Sequence, residues 1–145
     1  MLYSTGKRGF TMSSLLKKFR LTDEFLGAYE KLVIEQVIPY QEKALNDEIK
    51  DAEKSHAIEN FRMAAQMLEK GSCEGEFYGM VFQDSDVAKW LEAAAYSLVH
   101  KPDQELEQRM DDLIALIGRA QHKDGYLNTY FTVKEKDRRW TDLQE

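Results

Sequence analysis

A chain of 145 residues, 43% hydrophobic and 32% charged, is long enough to bury one core and has the composition of neither a disordered nor a membrane protein. Its formal charge of −6 offers no basic face for neutralising phosphates, so nucleic acid is not an expected partner. Cys73 is the single cysteine, which rules out an intrachain disulfide, and no run approaches the ~20 apolar residues of a membrane span.

The charge is unevenly placed. Residues 1–21 hold five bases (Lys7, Arg8, Lys17, Lys18 and Arg20) and no acid, so the acidic excess lies wholly downstream. The apolar run Leu15-Leu16 in this stretch is far short of the roughly 7–15 residues of a secretory signal. Residues 1–21 therefore read as a basic, poorly ordered leader with Met12 as an alternative initiator. An amphipathic transit peptide is the rival, and the cytoplasm is the default location. Residues 22–145 are expected to carry the fold.

The first helix is predicted to open at Thr22, with Asp23 and Glu24 suiting the positive end of its dipole. Phe25, Tyr29, Leu32, Val33 and Val37 keep one face apolar at spacings of three and four. Pro39 lacks a backbone donor and should kink or end this helix near Val37-Ile38, with a restart between Tyr40 and Ile49. A second helix is predicted from about Ser55 to Lys70, with Ile58, Phe61, Ala65 and Leu68 as its stripe and Gly71 as its terminator. Gly71 to Gln83 reads as irregular, yet Phe77, Tyr78, Met80, Val81 and Phe82 imply that it packs on something. Asp84-Ser85-Asp86 should cap a third helix carrying Val87, Trp90, Leu91, Ala94, Ala95, Leu98 and Val99. The next helix begins after Pro102, buries Leu106, Met110, Leu113, Ile114 and Ile117, and stops before Asp124-Gly125. The short link His100 to Asp103 makes these last two helices an antiparallel hairpin. Tyr126 to Val133 reads as extended, and the sequence reaches Glu145 just as Thr141-Asp142 opens another element.

The densest functional candidate is Phe82-Gln83-Asp84-Ser85-Asp86, where aromatic, amide and carboxylate groups at a loop-to-helix junction could stack on and hydrogen-bond a sugar. Plain helix capping by Asp84 or Asp86, worth about 1 kcal/mol, explains the same residues without a ligand. A hydrolytic pair of Asp84 and Asp86 is not expected, because residues two apart on a helix face different ways. His56, His100 and His122 sit near helix ends, where a cap or dipole partner is the commoner role than a catalyst. Gln121 to Leu127 is a helix terminator that aims Tyr126. Cys73 lies in Gly71-Ser72-Cys73-Glu74-Gly75 with no histidine or cysteine at zinc-ligand spacing, so no metal is expected on it.

Three segments in order resemble one family. They are Val37-Ile38-Pro39-Tyr40-Gln41 with Asn46-Asp47-Glu48-Ile49; Gly79-Met80-Val81-Phe82-Gln83-Asp84-Ser85-Asp86-Val87-Ala88-Lys89-Trp90-Leu91-Glu92-Ala93-Ala94; and Ala120-Gln121 with Asp124-Gly125-Tyr126-Leu127. Together they are similar to the N-terminal part of the β-L-arabinofuranosidases of glycoside hydrolase family 127, over about Phe19 to Glu145. The resemblance implies an all-α fold, a partial (α/α)6 toroid of antiparallel helix hairpins with short extended segments in its loops. It implies retaining, exo-acting removal of terminal arabinofuranosyl units, with a zinc-bound cysteine as nucleophile and a glutamate as acid/base. Both lie beyond Glu145 in the family pattern, and Cys73 matches none of its ligand cysteines. No cofactor is therefore assigned to this chain, although zinc is implied for the full-length enzyme. Phe82, Gln83 and Asp84 carry over as walls of the sugar pocket, with Asp86 and His56 beside them.

On this reading the partners are a carbohydrate and the remaining C-terminal portion of the same enzyme. Four main helices are under half of a twelve-helix toroid, and their apolar stripes would lack partners. The chain is accordingly expected to be a truncated, inactive and aggregation-prone piece. The alternative is a self-contained, non-catalytic helical binding or assembly module.

Overall fold

A computed structural model describes residues 17–141. Among these residues there is no strand. The helices are α1 (Glu24–Leu32), a π-helical turn (Val33–Val37), α2 (Ile38–Leu45), α3 (Ala57–Lys70), α4 (Asp84–His100), α5 (Gln104–Ala120), the short α6 (Thr129–Val133) and a 3-10 turn (Lys136–Arg138). Residues 1–16 of the predicted leader, Met12 included, and the helix start expected at Asp142 lie outside the described residues.

The first helix is capped one residue later than predicted, by Asp23, whose carboxylate accepts the Leu26 N–H at 2.7 Å. Pro39 acts as expected, with a specific local solution. It cannot donate, and its ring would strike the carbonyl of Glu35, so the α-geometry stops at Leu32 and resumes at Ile38. The five residues between widen into a π-turn, closed by the Ile38 N–H on the Val33 carbonyl.

α3 lies at the centre and packs on α4, α5 and α6. It buries Ile58, Phe61 and Ala65 as predicted, together with Ala57, Asn60, Met63 and Ala64. Small residues (Ala57, Ala64, Ala94, Ala120) let the helices approach closely, while Phe61, Trp90, Met110 and Leu113 fill the space between them. The Trp90 indole donates to the Ile38 carbonyl at 3.0 Å in a buried setting, which pins α4 to the first turn of α2.

Several sequence expectations are corrected. On α5, Leu116 is buried and Ile114 is exposed, because α3 packs against the opposite flank of the apolar stripe. Ala95 and Leu68 also face outward. Tyr126 to Val133 is not extended throughout. Asn128 caps α6 by accepting the Phe131 N–H at 3.0 Å, and this cap outweighs the β-branched and aromatic composition that suggested a strand. The apolar residues of Gly71 to Gln83 divide: Val81 is buried and Phe77 meets the Tyr130 ring edge-on, while Tyr78, Met80 and Phe82 are exposed. No residue of α1 is buried, so the apolar face of Phe25, Tyr29 and Leu32 has no cover among the described residues. Polar contacts join this first arm to the C-terminal end of α4, Lys101 to Glu35 at 3.0 Å and His100 to Glu30 at 3.1 Å, the latter an ion pair only when the ring is protonated.

Candidate functional site

The loop ahead of α4 is clamped on two sides. Gln83 holds one: its Nε2 donates to the Ser55 carbonyl at 2.6 Å, and its Oε1 accepts the Met80 N–H at 3.1 Å. Gly79 makes room for this, since its φ of +97° suits glycine and a Cβ there would collide with Gln83 Oε1. Asp84 holds the other side. Its Oδ2 accepts the Thr129 N–H at 2.7 Å and its Oδ1 accepts the Thr129 hydroxyl at 2.6 Å. The Asn128 amide adds a bond to the Val81 carbonyl at 3.1 Å.

This arrangement corrects the capping expectation. The residue before α4 is Gln83, which makes no side-chain cap, and neither carboxylate caps that helix. Asp84 instead caps α6, a helix 45 residues away in sequence. Asp86 is exposed and reaches Lys89 at 3.1 Å. The two carboxylates thus point to different partners, as their spacing implies. Burial raises the Asp84 carboxyl above the usual carboxylate range, and the two Thr129 hydrogen bonds only partly oppose it.

His56 stands next to the Gln83 anchor Ser55. It occupies the position before α3 in a left-handed conformation, φ 55°, and makes no cap. Its backbone N–H donates to Asp47 Oδ1 at 2.9 Å, and its Nδ1 lies 2.7 Å from Asp47 Oδ2. That second approach is too bent for a directed hydrogen bond, so it is a charge contact when the ring is protonated. The ring also tilts against Tyr78 at 5.1 Å. His100 and His122 likewise take tertiary partners, Glu30 and Thr132.

Of the five predicted residues, Gln83 and Asp84 have their polar atoms engaged internally, Phe82 and Asp86 are exposed beside them, and His56 adjoins through Ser55. Asp86 and Ser55 border a hollow of about 290 Å³ with Gln41, Leu45 and Trp90. A larger groove of about 880 Å³ between α2, α3 and α5 contains none of the five. Its rim is internally compensated, with Arg109 on Glu42 at 2.7 Å, so the smaller hollow fits the candidate site better. Ser55, Asn128 and Thr129 were not among the predicted site residues, although Ser55 was read as a helix start and Asn128 is of a type that favours caps.

Among the described residues no three histidine, cysteine, aspartate or glutamate side chains gather in a metal-holding group. Cys73 is a half-buried free thiol. These residues do not fit a zinc site. No helix of the described residues is long and apolar enough to cross a membrane.

The family described as β-L-arabinofuranosidase, GH127 catalytic domain, matches residues 18–145. A non-reducing end β-L-arabinofuranosidase of Bifidobacterium longum subsp. longum is 44% identical, the alignment covering 79% of this chain and 18% of that protein. The crystal structure of a GH127 β-L-arabinofuranosidase from Geobacillus stearothermophilus T6 superposes with a TM-score of 0.80 at 61% identity, over 87% of this chain and 19% of that one. A GH127 β-arabinofuranosidase structure gives 0.69 at 31% identity, over 81% and 17%. The chain spans about a fifth of the length of these relatives, and its all-α hairpins correspond to part of their helical toroid. Sequence motifs, helical architecture and these matches agree: the chain belongs to glycoside hydrolase family 127.

Proposed function

We propose that residues 22–145 form an N-terminal portion of the catalytic domain of a retaining, exo-acting β-L-arabinofuranosidase, with residues 1–21 as a basic leader. The observation that carries this reading is the family match across residues 18–145. In this reading the chain supplies a wall of the sugar pocket, and the reacting groups, including the cysteine-bound zinc of the family, belong to the remainder of the enzyme. Phe82 offers an exposed aromatic face to the furanose, and Asp86 accepts from a ring hydroxyl at the edge of the hollow. That hollow, just below the roughly 300–1,000 Å³ typical of ligand pockets, suits one pentose. Gln83 and Asp84 line the wall from behind and hold its shape, each carboxylate oxygen of Asp84 keeping a second acceptor site. His56 completes the wall beside Ser55.

A chimaera tests the proposal. Residues 18–145 replace the matching segment of the Geobacillus stearothermophilus T6 enzyme, and hydrolysis of p-nitrophenyl β-L-arabinofuranoside is followed. The chimaera is expected to turn over and the 145-residue chain alone is not. Phe82→Ala in the chimaera should raise KM about three- to tenfold with a smaller change in kcat. A folded but inert chimaera, or turnover by the chain alone, would refute the reading. The bare apolar face of α1 is what favours the rival, a non-catalytic binding or assembly module. That rival would leave the chimaera inert.

A further inference from the structure

α2 and α4 form two walls of the small hollow beside the loop junction. Gln41 and Leu45, four residues apart, lie on one face of α2, and Asp86 and Trp90, also four apart, on one face of α4. Leu45 and Trp90 are buried and make the apolar floor, whereas Gln41 and Asp86 are exposed at the rim, with Ser55 beside them. The Trp90 indole bond to the Ile38 carbonyl fixes the start of α2 on α4, so the turn that carries Gln41 is held against the turn that carries Asp86.

The polar groups around this junction differ in how far they are engaged. Gln83 and Asp84 are bound internally to Ser55, Met80 and Thr129. Asp86 accepts from Lys89 through Oδ1 at 3.1 Å, which leaves Oδ2 as an acceptor. Ser55 Oγ accepts the Ala57 N–H at 3.3 Å and Gln83 Nε2 at 3.4 Å, and its own hydroxyl proton has no acceptor among the described residues. The Gln41 side-chain amide makes no hydrogen bond among the described residues.

We propose that Gln41 is a substrate-binding and specificity-determining residue, its amide meeting one hydroxyl of a furanose ring that Asp86 holds from the other wall. This role rests on the reading of the Phe82 to Asp86 wall as a sugar site and supplies the wall opposite. Lys89 balances the charge of Asp86, so the hollow suits a neutral polyol better than an anion or a cation. A primary amide donates through Nε2 and accepts through Oε1, as a sugar hydroxyl does both; a carboxylate or an ammonium would match only half of it. Asp86 Oδ2 accepts and the Ser55 hydroxyl donates, so adjacent hydroxyls of one ring find complementary partners above the apolar floor.

The test is steady-state hydrolysis, by the folded chimaera, of p-nitrophenyl β-L-arabinofuranoside and its 2-, 3- and 5-deoxy analogues. Alanine suits an exposed helix position, so Gln41→Ala keeps α2 intact. It should raise KM for the parent glycoside about three- to tenfold with a smaller change in kcat. On the deoxy glycoside that lacks the hydroxyl met by Gln41, the same substitution should leave KM unchanged. A rise of equal size on every glycoside would place the effect in the fold and overturn the inference. An unchanged KM on the parent glycoside also overturns it, and Phe82→Ala then shows whether the first wall still stands. A folded but inert chimaera overturns both readings. If the chimaera does not fold, the ¹⁵N-labelled 145-residue chain is titrated with methyl β-L-arabinofuranoside. The Gln41 side-chain amide pair, assigned by its loss in Gln41→Ala, should then shift saturably. An unmoved pair, with the buried Trp90 indole N–H in its folded position, overturns the inference.

Discussion

Asp84 shows how one side chain can serve a distant element instead of its own. Both its oxygens are engaged by Thr129, which is 1% exposed, so removing the carboxylate strands a buried N–H and hydroxyl. Asp84→Ala is expected to cost roughly 2–3 kcal/mol, read from melts followed by circular dichroism at low protein concentration. Asp84→Asn keeps an acceptor for the N–H, and the Thr129 hydroxyl can reverse to accept from the amide. Its stability should stay near that of the parent. The pH dependence distinguishes the parent from Asp84→Asn. Burial raises the Asp84 carboxyl, so the folded chain holds that proton more tightly than the unfolded chain does. Its stabilising contribution is complete below the ordinary carboxylate range and is lost as pH rises through the raised value. Asp124, lowered chiefly by the Tyr126 N–H and then by Arg139, runs the other way. Its contribution is present above the ordinary range and is lost as pH falls through the lowered value. Because only the Asp84 term differs between parent and Asp84→Asn, the Asn variant should gain on the parent as pH rises from about 3 to 7. A gap that narrowed over that interval would contradict the assignment.

Among the elements, α2 and α4 depend on one buried polar contact. Trp90 is 3% exposed and its N–H has the Ile38 carbonyl as partner, at the residue where the helix re-forms after the π-turn. Trp90→Phe preserves most of the apolar bulk and deletes the donor. A loss of about 1–2 kcal/mol is expected, with amide protection falling first in α2. Equal loss of protection in α5 would mean that Trp90 acts through general packing. The helices themselves were legible because their signals are local: the periodic stripes of α3 and α4, Gly71 at the end of α3, and Pro102 just ahead of α5, where the structure makes Asp103 the cap through the Glu105 and Leu106 N–H groups. α6 was not, because its start depends on a carboxylate 45 residues away as well as on its own Asn128.

At the scale of the whole molecule, the described residues bury one core around α3 and leave a second apolar surface bare. Phe25 and Tyr29 are 69% and 55% exposed and lie on one face of α1 with Leu32. Contiguous apolar surface of this kind drives association. The chain should therefore self-associate with rising concentration in sedimentation velocity, and the double substitution Phe25→Glu with Tyr29→Glu should reduce this without lowering the helical signal. A parent that remains a monodisperse monomer with a sharp thermal transition would remove the argument.

Local chemistry, written along the chain, determined the all-α class, the positions of the four longer helices, the break at Pro39 and the motif that places the chain in its family. Spacing and caps act within a few residues, so they can be read without knowing what lies opposite. Tertiary structure alone decided which flank of the α5 stripe is buried, that Leu116 replaces Ile114 in the core, and that Asp84 caps α6. It also decided that Gln83 anchors to Ser55 and that Arg139 and Trp140 gather on Tyr126. Each of these depends on a partner tens of residues away, or on a turn whose direction the intervening sequence does not specify, and a one-dimensional pattern carries no record of which face another helix will meet.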